Sequence, residues 1–325
     1  MIAYLIRRLL WAIPTLIGVN LLVFVLFFVV SSPDDMARAQ LGIKNVTQTA
    51  IERWKADHGY DKPLFWNDKA EGSKRFTDTI FTQKSARMFL LDFGQSDVGR
   101  DINRELSQRM WPSLALALPV FVLGLFVSIV FALALAFFRS TWFDFAGVVT
   151  CVVLMSISSL FYILAGQYLF ARTWKLMPIS GFQPGFDAVR FLVLPIVVGL
   201  VASLGSNVRW YRALFLEEIG KDYVRTARAK GLSEAAVLFR HVLKNGMIPI
   251  LTGAVVVIPS LFLGSLLSES FFGIPGLGSF TIDAILQQDF AVVRAMVFIG
   301  SLLYIAGLIL TDISYTLVDP RVRLQ

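Results

Sequence analysis

Trp111 to Phe138 reads WPSLALALPVFVLGLFVSIVFALALAFF, 28 residues without one charged side chain. Roughly 20 apolar helical residues cross a ~30 Å hydrocarbon core, so this run predicts a membrane span. Working outward, uncharged runs recur at Leu9 to Val30, Phe145 to Ala171, Phe191 to Val208 and Asn245 to Ser268. A last run, Ala295 to Thr311, extends to Val318 if Asp312 is tolerated. Pro119, Pro195 and Pro259 fall inside these runs, which membrane helices accept when neighbours satisfy the freed carbonyls. The composition agrees: 56% hydrophobic and 16% charged residues over 325 positions, against roughly 45–50% and about 25% in soluble domains. The expected fold is an all-α polytopic membrane protein with six transmembrane helices.

The first run is 22 residues long, beyond the roughly 7–15 of a signal-peptide core, so it is read as an uncleaved anchor. Basic residues in short loops set the orientation. Arg7 and Arg8 precede the first span, and Arg139 is the lone charge before Asp144. Arg209 to Lys244 carries eight basic residues, whereas Glu269 to Phe290 has no Lys or Arg. Both termini are therefore expected in the cytoplasm, despite Arg172, Lys175 and Arg190 in an outer loop. Residues 31–110, with 13 basic and 12 acidic side chains, form the expected external cap. Within it Thr47 to Asp57 reads as a helix capped by Thr47, and Gly59 to Pro63 as a turn. Asp101 to Arg109 reads as an amphipathic lead-in to the second span. Asn67 to Ser85 is either a surface insertion or partly disordered. The membrane-embedded core would run over 111–318 and the cytoplasmic tail over 319–325.

The single cysteine, Cys151, excludes an intrachain disulfide and reads as buried and inert. His58 and His241 stand alone, which speaks against a zinc or iron centre. The net charge of +7 sits in membrane-flanking loops rather than on a soluble face, so nucleic acid is not an expected partner. Glu269 and Asp312 lie near span ends, where interfacial solvation is expected.

The loop 209–245 is the most informative. Lys221 to Lys230 has helical composition, Gly231 interrupts it, and Ser233 reads as the N-cap of a second helix. In that second helix Ala236, Leu238 and Phe239 are expected to cluster with Val242 and Leu243. A helix–Gly–helix elbow results. Ala227, Ala229 and Gly231 are small enough to let another backbone approach. The alternative is a plain basic loop. In the fifth span Thr252, Gly253, Gly264, Ser265 and Ser268 form a small, polar stripe, suited either to lining a path or to helix packing.

Asp222-Tyr223-Val224-Arg225-Thr226-Ala227-Arg228-Ala229-Lys230-Gly231-Leu232 resembles the coupling loop of ABC importer permeases of the dipeptide, oligopeptide and nickel class. Tyr4 to Leu10 with Ile13-Pro14 is similar to that family's N-terminus, and Asp92 to Ser96 to its approach to the second span. Glu269 to Gly278 and Asp319 to Arg323 match its turn after the fifth span and its tail. Arg225-Thr226-Ala227 stands where the general motif has Glu-Ala-Ala, as in the peptide branch, and Ser32-Pro33-Asp34-Asp35 replaces Pro-Gly-Asp-Pro. The resemblance implies a non-catalytic subunit in the bacterial inner membrane. It implies a second homologous permease, two cytoplasmic ATPase subunits and an external solute-binding protein as partners, besides membrane lipid. Asp222, Tyr223, Arg225, Thr226, Ala227, Arg228, Ala229, Gly231 and Leu232 would meet the ATPase. No G-x-x-x-x-G-K-[ST] phosphate loop occurs in the chain, so ATP and Mg would be held by the ATPase subunits, with no cofactor here. Peptides are the implied cargo, with a nickel chelate, a peptide antibiotic or a sugar as alternatives. A secondary transporter would show mid-membrane charges or internal repeats, and an intramembrane enzyme a nucleophile, metal or carboxylate pair. Neither pattern is present in the sequence.

Overall fold

A computed structural model describes residues 2–42, 46–68 and 70–318, with side chains from Ile6 to Ser314 apart from 43–45 and 69. The tail 319–325 and its Asp319 to Arg323 motif lie outside the described residues. Among the described residues there is no β-strand. Five helices are long and apolar enough to cross a membrane: Ile6–Val30, Ile102–Phe137, Ala188–Ile219, Glu234–Leu263 and Phe290–Ser314. A sixth is bent by 90° between Trp142–Ser156 and Ser159–Thr173.

That bend corrects the straight span expected over 145–171. Ile157 and Ser158 are extended, with ψ of 129° and 144°. The sequence there is Ser-Ile-Ser-Ser, and serines compete with the helical ladder for backbone groups. The break deprives the Leu154 carbonyl of its partner four residues on. The Tyr162 hydroxyl supplies the replacement, donating to it at 2.7 Å.

The other spans are also longer or shorter than their uncharged runs. The fourth continues past Val208 to Ile219 because its extension is amphipathic. Arg212 forks onto Asp144 at 2.7 Å through both Nε and Nη2, while Tyr211, Phe215 and Ile219 are buried. The fifth ends before Ser268: Pro259 opens a 3₁₀ turn over Pro259–Leu263, and Gly264, at φ +74°, leaves the helix. The sixth starts at Phe290 rather than Ala295, taking Arg294 inside.

The segment between the first two spans folds into a cap with its own core. Ser32 and Asp35 cap the helix Pro33–Leu41 reciprocally, and those hydrogen bonds hold the Asp35 carboxyl below its usual range. Helix Gln48–His58 begins at Thr47 as expected, although the Thr47 side chain makes no capping bond and meets Thr49 instead. It ends at Gly59, φ +67°, where a left-handed residue turns the chain. Asn67 to Ser85 is a folded insertion over its described residues: Lys62 reaches Asp78 at 2.6 Å and Gln83 at 3.1 Å, and Asn67 donates to Asp78. Phe24 and Phe28 of the first span are buried among Met36, Ile51, Trp54, Tyr60 and Ile80.

A buried polar chain joins this cap to the sixth span. Arg294, 2% exposed, stacks on Phe28 at 4.5 Å and donates to the Tyr60 hydroxyl at 3.1 Å. Tyr60 donates to Asp97 at 2.9 Å. Asp97 accepts the Ala291 amide and gives its own to Asp289, and Ser96 also donates to Asp289. At the opposite end Arg8 pairs with Asp312 at 2.8 Å.

Tyr60→Phe keeps the ring and deletes the hydroxyl, leaving Arg294 and Asp97 each one partner short in a dry site. The expected cost is about 1–3 kcal/mol. It is measurable as a lower thermal midpoint in detergent and faster proteolysis within 31–101.

Candidate functional site

Two features stand out, one within the bundle and one at the end opposite the cap. Within it, a cavity of about 560 Å³ lies between the second, bent third, fourth and fifth spans, in the size range of small-molecule sites. Its wall is apolar and small: Leu116, Val120 and Gly124 from the second span, and Pro195, Val198 and Gly199 from the fourth. Ser159, Ser203, Asn207, Trp210, Tyr211 and Ser260 supply polar atoms, and none of the lining residues is charged. Of the five stripe residues, Gly253, Gly264, Ser265 and Ser268 line this cavity. Thr252 does not: it is 2% exposed and donates to its own helix at Ile248. Three of the four sit beyond the fifth helix rather than on it, because Pro259 and Gly264 end that helix first.

At the cap-side end of the cavity, where Ser265 and Ser268 line it, stands a hairpin of two short helices, Leu266–Phe272 and Leu277–Leu286, joined through Gly273 at φ +65°. Glu269 is fully buried between them, which corrects its expected place at a solvated span end. One carboxylate oxygen accepts the Ser265 amide and the other the Ser279 amide, each at 3.0 Å. Ser113 of the second span hydrogen-bonds the same carboxylate and accepts the Leu277 amide at 2.7 Å. A Cβ on Gly264 would come within 2.1 Å of that carboxylate, on Gly276 within 2.3 Å and on Gly278 within 2.8 Å. The three glycines leave the volume that the carboxylate fills. Sequence reasoning placed Gly264 in the small, polar stripe and Gly276 and Gly278 in a turn, and missed what they surround; the signal was an acidic residue flanked by glycines on both sides.

The second feature is the elbow. Helix Asp222–Ala229 stops at Lys230, Gly231 has φ +81°, and Ser233 caps the next helix by accepting the Ala236 amide. That next helix continues through a π turn at Leu238–Val242 into the fifth span, the whole running Glu234–Leu263. The elbow is two-faced. Val224 and Ala227 are buried against Phe215, Ile219, Val237, Leu238 and Val242, while Asp222, Arg225, Thr226, Ala229, Gly231 and Leu232 are exposed. Ala227 thus serves the chain's own packing. In the second helix Val237 takes the buried place expected of Phe239, which is 60% exposed. His241 is half-buried there, and His58 ends its cap helix, its ring nitrogens 2.8 and 2.9 Å from the Trp54 and Asp97 carbonyls.

Three contacts stiffen the elbow. Arg228 forks onto Glu234 at 2.7 and 3.1 Å, bridging Gly231. Tyr223 donates to Glu218, and burial first, then that bond, pushes its phenol up to about 12, so it remains a donor at physiological pH. Phe215 fills the space at Gly246, where a Cβ would come within 2.7 Å of its ring. A displacement of the elbow is therefore carried into the fourth and fifth spans, which wall the cavity.

A family described as the binding-protein-dependent transport system inner membrane component matches residues 113–324, and the N-terminal component of such systems matches residues 1–88. A Brucella abortus protein named for a peptide transport system permease is 32% identical over 330 residues, covering 99% of each chain. The oligopeptide transport system permease of Bacillus subtilis is 30% identical over 99% of this chain and all of its own. The glutathione transport system permease of Salmonella paratyphi A is 31% identical over 99% of each. The chain belongs to the inner-membrane components of binding-protein-dependent transport systems, as a multi-pass ABC-importer permease that works with a solute-binding protein and an ATPase.

Proposed function

We propose that this permease forms half of the path of a peptide importer, beside a second homologous permease, and that its elbow is the seat of an ATPase. The carrying observation is the continuity of the second elbow helix with the fifth span, Glu234–Leu263, whose residues Gly253, Ala254 and Val257 wall the cavity. The polar face of Asp222–Ala229 points away from the bundle, and Gly231 gives a partner backbone room to approach. ATP and Mg belong to the two ATPase subunits, whose closure would shift the elbow and favour one of two arrangements of the spans. Both termini and the elbow lie in the cytoplasm and the cap lies outside, a reading supported by the basic residues of 209–245.

The cavity supports peptide as cargo. A wall of small and apolar groups without fixed charge accepts varied side chains, and scattered hydroxyls with Asn207 can meet backbone amides. Selection among peptides then rests with the solute-binding protein. The names of the Brucella, Bacillus and Salmonella relatives point the same way.

Two experiments test this. Gly231→Val places a β-branched residue at positive φ, at a cost of order 1–3 kcal/mol. It is expected to weaken ATPase co-purification and cut uptake at least tenfold; unchanged association and uptake would remove the elbow from coupling. For cargo, uptake of labelled di- and oligopeptides is measured in cells with and without the gene. Loss of peptide uptake on deletion supports the reading, whereas intact peptide uptake with lost nickel or sugar uptake overturns it.

A further inference from the structure

We propose that Glu269 is a positioning residue that holds the hairpin 265–286 as a plug over the outer end of the cavity, with Gly264 as its hinge. The inference rests on reading that cavity as the path.

The geometry is specific. Ser265 precedes one hairpin helix and Ser279 lies in the first turn of the other, so a single carboxylate accepts from the start of both. At the second helix it also meets the positive end of the backbone dipoles. The two helices therefore move as one body. Their loop is shut by the Glu269 carbonyl, which accepts the Ile274 amide at 2.9 Å.

The body has a different kind of attachment to its surroundings. The Gly181 amide donates to the Phe272 carbonyl at 2.8 Å. Gln167, a half-buried side chain, donates to the Phe271 carbonyl at 2.8 Å. Ser113 holds the Leu277 amide. These are neutral hydrogen bonds, individually worth about 0.5–1.5 kcal/mol. With the Ser113 contact to the carboxylate and the packing of Phe272, Ile274, Leu277 and Phe280 against neighbouring spans, they form the boundary of the body, whose two helices share the caged carboxylate. Separation is therefore expected at that boundary and rotation at Gly264, whose φ of +74° and ψ of −177° are open to glycine. Ser268, one residue before Glu269, lines the cavity and is uncovered by that rotation.

The test uses the assembled complex in proteoliposomes, without ATP, and a membrane-impermeant maleimide added on the cap side. The reporter chain carries Ser268→Cys with Cys151→Ser. A second chain retains only Cys151, buried in the core beside the elbow, as a control for general loosening. Glu269→Gln keeps the shape but turns an NH₂ toward an amide that needs an acceptor. It is expected to speed labelling at position 268 at least tenfold while leaving Cys151 labelling unchanged. Ser113→Ala, a milder change, is expected to speed it severalfold and decides the matter if Glu269→Gln fails to assemble. Wild-type labelling that rises with ATP and loaded binding protein, but is matched by assembled Glu269→Gln without them, supports the plug. The same wild-type response with no acceleration in either variant overturns Glu269 as the pin and leaves the path reading standing. Equal acceleration at Cys151 reduces Glu269 to a packing role. A reporter at 268 that never reacts in any state overturns the path reading and the plug together.

Discussion

An amide N–H or carbonyl within hydrocarbon has no water to pair with, and an unpaired one costs several kcal/mol. Every interruption of a span in this molecule is arranged around that constraint. Where the third span bends, the Tyr162 hydroxyl replaces the missing amide at Leu154. Where the fifth span stops, the Glu269 carboxylate gathers the amides that the hairpin leaves over. Both interruptions face the cavity, at Ser159 and at Gly264. The irregular backbone thus lies where it lines a space, and the lipid-facing backbone stays helical.

The same arrangement divides labour between stiff and yielding parts. The elbow side is a packed core: Phe215 fills the space above Gly246, and Val208, Val224 and Val242 are fully buried. Close packing of this kind transmits displacement rather than absorbing it. The cap side holds its hairpin with hydrogen bonds from Gly181, Ser113 and the half-buried Gln167. On the proposed coupling, movement delivered to the fifth span at Glu234 would pass through the elbow core and meet its first compliant point at Gly264.

Much of this was legible in the residues. Six apolar runs gave six spans, Gly231 and Ser233 gave the elbow its break and its cap, and Asp101 gave the second span its start. What was not legible came from contacts between distant residues. The run 145–171 has no charge or proline to mark its bend, and only the Ser-Ile-Ser-Ser stretch hints at it. Starting the last span after Arg294, at Ala295, follows from charge alone, because Tyr60 and Phe28, which let Arg294 be buried, are more than 200 positions away. Glu269 was misplaced for the same reason: Ser113 and Gly278 become its neighbours only after folding. For the stripe, periodicity could not separate Thr252, turned into its own helix, from Gly253 on the cavity wall.

The attachments of the cap also constrain how the chain is made. Its buried partners Ala291 and Arg294 belong to the last span and Asp289 immediately precedes it; Asp312, which holds Arg8 of the first span, lies in the last span too. A ribosome adding roughly 5–20 residues per second needs on the order of ten seconds or more between Asp97 and Arg294. Over that interval Tyr60 and Asp97 have each other but lack Arg294 and the Ala291 amide, and Arg8 of the first span lacks Asp312. The N-terminal third of this protein is therefore finished last, and truncation near the C-terminus would be felt first in the cap.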